Sequence, residues 1–210
     1  SGVLVKREER KEKIVNLVND ASQLVNLNPD LSDVLLNELT DLVEYPNLIT
    51  GNFDKQFLNL PVEVLSTVMK SHQRYIPLLK NCKTFSKLEL SSENFLSTNF
   101  FILSNGLRES NNIIAKGNEK VLKARFSDAN FFVQSDKKVS SKKRNEKLKY
   151  VSYLKGMGNV YQRVERIEII AEKIHYSLND PSLDRKKVIE AAKYCKNDLC
   201  SEIVYEFPEL

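Results

Sequence analysis

Two short runs, residues 74–80 (RYIPLLK) and 97–104 (STNFFILS), crowd β-branched, aromatic and aliphatic side chains together without a helical period. They limit any sheet to a few strands. Nearly all the apolar residues around them recur at three- and four-residue intervals, so helices must cover that sheet. The expected fold class is α+β: a mixed α/β domain with a small sheet, followed by an all-helical segment. Pro77 places the first strand at a sheet edge, because proline donates nothing to a ladder. Residues 81–94, polar and without period, join the two strands as a long loop.

The helical stretches are legible one by one. Ile14, Leu17, Val18, Ala21, Leu24 and Val25 form one stripe within residues 11–25. Pro29 and Asp30 open a second helix whose Leu31, Val34, Leu35, Leu39, Leu42 and Val43 repeat until Tyr45 and Pro46 stop it, and the two pair as a hairpin. Residues 47–60 carry Gly51, Asn52 and Asp54 and read as loop with room for one short strand. Pro61 suits the first turn of a helix with Val62, Leu65, Val68 and Met69 buried. After Asn105 and Gly106 a long helix lines up Val121, Leu122, Phe126, Ala129, Phe132 and Val133, with Gly117 at its start or at a kink. Gly156 and Gly158 precede the most regular pattern, Val160, Val164, Ile167, Ala171, Ile174 and Leu178, and a last helix spans 184–205.

Charge sharpens this division. Lys plus Arg number 32 against 28 Asp plus Glu, a net +4, yet residues 136–149 alone carry seven basic and two acidic side chains. That segment holds the whole excess. It marks a boundary near 138–147, giving a mixed α/β domain over 1–140 and the start of a helical domain over 141–210. Such a stripe meets phosphates or is a solvated linker, and composition alone leaves both readings open. With 41% hydrophobic and 29% charged residues the chain is a folded one, not collagen-like or disordered. No apolar run approaches the ~18 residues of a membrane span, and the charged first residues lack the apolar block of a secretory leader. A cytoplasmic protein with no membrane partner is expected. Three cysteines, Cys82, Cys195 and Cys200, without a CxxC pair, are expected to be reduced and mostly buried.

Catalytic chemistry finds few carriers. His72 and His175 are the two histidines, assigned to different domains, and neither lies in a nucleophile elbow, a phosphate loop or a metal-binding pair. Two polar clusters stand out instead. His72, Gln73, Arg74 and Tyr75, where a helix hands over to a strand, either bind phosphate and stack on a base or form a polar helix end with Tyr75 packed beneath. Lys116, Asn118, Glu119, Lys120, Lys123 and Arg125 gather near a helix N-terminus, where anions are favoured. The competing reading ties Arg125 to Asp128 or Glu119 as structural support.

Five blocks in order, LPVEVLSTVMKSHQRYIPLL, SNG, IIAKGNEKVLKARFSDANFFVQSDKK, EKLKYVSYLKGMGNVYQRVERIEIIAEKI and AAKYCKNDLCSEIVYEFPEL, resemble the beta subunit of the bacterial heterotetrameric glycyl-tRNA synthetase. The resemblance runs from about Lys11 to Leu210; Gly117, Asn118 and Glu119 and the closing KNDL and EFPEL carry most of its specificity. The polar insertion 81–94 departs from that family's tighter hairpin. Family members are several times longer, so the chain resembles an internal piece. The resemblance implies that the alpha subunit holds the active site, with ATP and Mg, while the beta subunit is needed for tRNA(Gly) binding. It also implies a first domain similar to one of phenylalanyl-tRNA synthetase beta chains, then the opening helices of an HD-like domain. A working HD site needs an adjacent His-Asp pair, and here Gln73 follows His72 and Tyr176 follows His175.

The expected role is therefore noncatalytic: binding tRNA and supporting assembly with the alpha subunit for glycine attachment. RNA contacts are assigned to His72, Arg74, Lys116, Lys120, Lys123 and Arg125, with Lys142, Lys143 and Arg144 as phosphate anchors. No cofactor or metal is assigned to the chain itself. Two alternatives remain: an HD-type hydrolase domain with nucleotide or metal chemistry at Asp198 and Glu202, or a purely structural subunit-contact region.

Overall fold

The computed structural model describes residues 2–80 and 95–210. The chain divides into two compact units, Ser1–Asn130 and Phe131–Leu210. The division falls ahead of residue 140, inside the long helix α4 (Asn111–Lys137).

In the first unit a four-stranded antiparallel sheet has the order β1-β3-β4-β2, built from β1 (Asn28–Pro29), β2 (Asn47–Asn52), β3 (Ile76–Leu79) and β4 (Leu96–Ser104). β3 and β4 are the two runs that the sequence marks as strands. Both faces of the sheet are covered, which is why β3 is buried at every position rather than alternating. On one face Ile76, Leu78 and Phe101 pack against Ile14 and Val18 of α1 (Arg7–Val25) and Leu35, Leu36 and Leu39 of α2 (Asp33–Leu42). On the other, Phe53 and Phe57 pack on Phe126 of α4, Phe53 edge to face at 5.1 Å, and Phe100 joins Phe53 to Tyr75. Phe100 lies over Gly51, where an added Cβ would stand 2.6 Å from its Cζ.

Pro77 corrects the expectation of an edge strand. β3 lies between β1 and β4, and its register with β4 slips between Pro77 and Leu79, so the missing donor sits at an irregularity. Residues 47–52 form a full strand paired to β4 from Asn47 with Ser104 to Asn52 with Asn99, more than the sequence pattern offers. α1 ends on Asn26 in the left-handed region (φ 51°), and Ser32 caps α2 by accepting from the Leu35 amide. α3 (Val62–Thr67) runs into a π turn, Val68–His72. α4 starts at Asn111 and contains Gly117, so that glycine does not mark its start. The expected long loop, 81–94, and Cys82 lie outside the described residues.

The second unit contains α5 (Ser141–Lys147), α6 (Val160–Leu178), α7 (Arg185–Tyr194) and α8 (Glu202–Glu206). It is not all-helical: β5 (Ser152–Leu154) and β6 (Gly158–Asn159) make a small antiparallel ribbon. Leu148, Val160 and Val164 form its centre, with Val151, Tyr153, Tyr161 and Cys200 packed around them. The helix expected over 184–205 is broken in two by a 3-10 turn, Asn197–Cys200. Ser201 restarts it as an extended N-cap, and the Asp136 carboxylate accepts from the Glu202 and Ile203 amides at 3.0 and 2.9 Å. Cys195 is exposed rather than buried, and Cys200 is half-buried; both are free thiols.

Candidate nucleic-acid interface

α4 is amphipathic, burying Leu122, Phe126 and Ala129 against the first unit. Its Lys116, Lys120 and Lys123 follow at i, i+4 and i+7, so they rise along one outward stripe in steps of about 6 and 4.5 Å. All three are exposed, and none has a hydrogen bond or ion pair through its ammonium among the described residues. Glu119 is the natural partner of Lys123 four residues on. It is occupied elsewhere: its Oε1 accepts from the Asn52 backbone amide at 2.8 Å. The three ammonium groups are thereby left without an ion pair among the described residues. Arg125, two residues beyond Lys123, points about 200° away round the helix and does not join it. It is exposed and makes no ion pair with Glu119 or Asp128 among the described residues, so the expected structural tie is not formed.

The His72–Tyr75 cluster has a different character. The π turn places His72 half-buried, and Arg74 then takes a left-handed backbone (φ 55°) before β3 begins. The Arg74 guanidinium donates to Glu38 Oε2 at 3.0 Å and to the Ser71 carbonyl, so it is already engaged within the protein. Tyr75 is buried, its hydroxyl donating to Asn118 Oδ1 at 2.6 Å, and burial pushes its phenol up to about 12. A base cannot stack on it. Of the two readings of this cluster, the packed tyrosine is the one observed. A cleft of about 210 Å3 lined by Gln73, Arg74, Tyr75, Asn105 and Asn118 remains beside it.

In the second unit Lys142 and Lys143 stand exposed on α5, whose first turn is capped by Ser140 accepting from the Lys143 amide at 3.3 Å. Arg144 does not stand with them. Its Nη2 donates to the carbonyls of Asp136 and Val139, the latter at 2.9 Å, closing the C-terminal end of α4. A helix end whose carbonyls need donors thus engages the arginine that the charge run offers to phosphate. The 136–149 segment is ordered structure, not a linker.

The hydrolase alternative finds little to build on. Asp198 is exposed, and the amide and hydroxyl of Ser201 both donate to its carbonyl; Glu202 is exposed with its amide on Asp136. Among the described residues no group of three His, Cys, Asp or Glu comes together to hold a metal ion. His175 sits at the end of α6 with Nε2 2.9 Å from the Leu183 carbonyl. No helix among those residues is long and apolar enough to cross a membrane.

Sequence reasoning misses a cavity of about 680 Å3, lined in the first unit by Lys13, Tyr45, Asn47, Asn105, Arg108 and Glu109. The Lys13 ammonium lies 3.6 Å from the centroid of the Tyr45 ring, and its hydrogen bond holds that phenol below its ordinary range. These residues come from three separate stretches of chain, and no local pattern announces their meeting.

Comparison with known proteins closes the assignment. The family model described as "Glycyl-tRNA synthetase beta subunit" matches residues 1–210. A protein named glycine--tRNA ligase beta subunit from Trichodesmium erythraeum is 39% identical over 203 residues, 97% of this chain and 27% of its own length. Proteins of the same name from Listeria monocytogenes and a Thermotoga species are 38% and 33% identical over 99% and 96% of the chain, which covers 29% and 28% of them. The chain thus spans less than a third of the length of these relatives, and over its whole extent it belongs to the glycyl-tRNA synthetase beta subunit family.

Proposed function

We propose that this chain is the part of a glycine--tRNA ligase beta subunit that grips the phosphate backbone of tRNA(Gly), while an alpha subunit condenses glycine with ATP. The observation that carries this reading is the stripe of Lys116, Lys120 and Lys123, exposed on one face of α4, with Glu119 bonded to the Asn52 amide and not to Lys123. Each such lysine that meets a phosphate releases condensed counterions, which gives affinity without sequence preference. Lys142 and Lys143 add two exposed cations in the second unit; Arg74, bonded to Glu38, supports the first unit's structure more than it offers free charge, and His72 is half-buried. ATP and Mg act, in this reading, on the alpha subunit. The described residues of this chain bring together no metal-ligating cluster, and no chemical step is assigned to them.

The test is tRNA(Gly) binding by the chain with Lys116, Lys120 and Lys123 changed together to Glu. Affinity should fall, and the slope of log K against log salt should flatten by roughly 2 to 3, about 0.7 to 0.9 for each lost contact. An unchanged slope would remove the stripe from the interface.

A second reading rests on α6, where Ile170, Ile174 and Leu178 are 55%, 53% and 61% exposed along one side. That stripe suits a protein neighbour, and contact with the alpha subunit or with the rest of a longer beta chain is compatible with RNA binding elsewhere.

A further inference from the structure

The ribbon of the second unit was assigned no role by charge counting, because its cations are few. Its environment is unusual: from Lys147 to Arg163 the chain carries four basic residues and no acidic one. Within that stretch Tyr150 is 89% exposed, and Leu154 and Met157 are exposed beside the turn. The Tyr150 hydroxyl has no partner among the described residues. Lys149 is neutralised by Glu146 and lies 4.8 Å from the Tyr161 ring centroid. Arg163 is different, its guanidinium lying 4.4 Å from the centroid of Tyr153 with no carboxylate partner among the described residues. Lys155, at the turn, is likewise exposed and unpaired there.

The ribbon is held rigidly. Gly156 and Gly158 supply the left-handed turn (φ 82° and 80°), which other residues adopt only with strain. The Met157 amide donates to the Leu154 carbonyl at 2.9 Å, and Asn159 Nδ2 donates to the Lys149 carbonyl at 3.0 Å. Asn159 and Gln162 complete a capping box that starts α6, and Arg166 reaches back to the Met157 carbonyl. Ordering entropy on binding is thereby reduced in advance.

We infer that this ribbon, with the 3-10 turn Leu148–Tyr150 that leads into it and the first turn of α6 that follows it, is a stacking platform for unpaired RNA bases, with Tyr150 as the ring a base covers and Lys155 and Arg163 as the cations that meet the flanking phosphates. The inference rests on the tRNA-binding reading and adds where and how single-stranded RNA is held. An exposed aromatic ring in a stretch of chain that carries cations and no acid is the combination by which sequence-tolerant single-strand binders work, since every base has a π face. The absence of acid from Lys147 to Arg163 favours an anionic partner over an ordinary protein surface.

The experiment measures binding of the whole chain to a labelled, unstructured RNA of about twelve nucleotides, to a duplex of the same length and to tRNA(Gly). Tyr150→Ala should weaken single-strand binding roughly five- to a hundredfold, with little change for the duplex, as expected for the loss of one stacked base. Tyr150→Phe should keep it. Lys155→Gln should lower the salt slope by about 0.7. Because Tyr150 is so exposed, the variants should melt like the parent, and circular dichroism checks that. If the parent binds the single strand and Tyr150→Ala binds it within about twofold, the platform is refuted while the tRNA reading stands. If the parent binds none of the three RNAs, both fall. If Tyr150→Ala spares RNA but abolishes association with an alpha subunit, the ribbon is a protein contact and the inference is overturned.

Discussion

Lys70→Met should damage the first unit more than Asp30→Ala, although the two substitutions break the same ion pair. Lys70 Nζ and Asp30 Oδ2 are 2.7 Å apart, but the aspartate side chain is only 5% exposed against 26% for the lysine. At an effective dielectric of about 20 their attraction is roughly 6 kcal/mol, and desolvation of both groups offsets most of it. Removing one partner leaves the other's desolvation uncompensated. A bare Asp30 carboxylate, 5% exposed, has no route to water, so Lys70→Met should cost about 3 to 4 kcal/mol; Lys70, 26% exposed, keeps access to water when Asp30 is removed, so Asp30→Ala should cost about 2.

The pair joins the π turn that carries His72 to the segment after β1, whose Asp30 amide also donates to the Pro77 carbonyl at 2.9 Å. Urea unfolding followed by far-ultraviolet circular dichroism reads both variants, and the double variant should cost less than the sum by more than 1 kcal/mol because the residues touch. A loss of about 3 kcal/mol would lower the melting temperature of a two-state chain of this length by roughly 7 °C. Equal costs, or a larger one for Asp30→Ala, would refute the desolvation argument. Costs below about 0.5 kcal/mol for both would mean that the pair is not formed in solution.

Tyr75 gives a pH test: with its phenol raised to about 12, the stability that the neutral buried ring contributes is complete below the ordinary value near 10 and is lost as pH climbs from 10 to 12. Tyr75→Phe should remove that alkaline slope in denaturation curves and cost about 1 kcal/mol at neutral pH through the lost bond to Asn118. Gly51→Ala should destabilise by about 1 to 3 kcal/mol, because a Cβ 2.6 Å from Phe100 Cζ must displace a ring fully buried in the sheet, and calorimetry reads the shift. Arg144→Ala should lower the melting temperature while leaving the salt dependence of tRNA binding unchanged, whereas Lys142→Glu with Lys143→Glu should do the reverse.

How much of this was legible in advance depends on whether the deciding partner was local. β3 and β4 showed in the sequence because their own side chains are apolar enough to fill both faces of a sheet. β1 did not show, and β2 only as room for one short strand: Asn28–Pro29 and the Asn and Gly residues of β2 have weak strand preference, and pairing with Leu78, Leu79 and residues 99–104 of β4 overrides it. The same holds for the site. Lys116, Lys120 and Lys123 share a face by helical arithmetic, and the rotation that separates Arg125 from them was equally available. Arg144 was illegible as a structural group because its need arises from carbonyls freed at the end of another helix. Whether Tyr75 was buried or presented turned on Asn118, 43 positions away.

The lesson for a basic surface is that carboxylates decide which lysines are free, and Glu119 offers the sharpest test of it. Its Oε1 takes the Asn52 amide at the edge of the sheet and makes no ion pair with Lys123. Its charge still lies near the stripe and opposes phosphate. Glu119→Gln keeps an oxygen that can accept from Asn52 and removes the charge; Glu119→Ala removes both. The glutamine variant should therefore bind tRNA(Gly) about twofold more tightly at low salt, with a melting temperature close to the parent's, since the screened repulsion of an exposed charge is a fraction of a kcal/mol. The alanine variant should gain the same affinity but lose about 1 kcal/mol of stability with the capped amide. Equal destabilisation by both, with no gain in affinity from either, would mean that Glu119 serves the sheet edge alone and that the stripe beside it does not meet RNA.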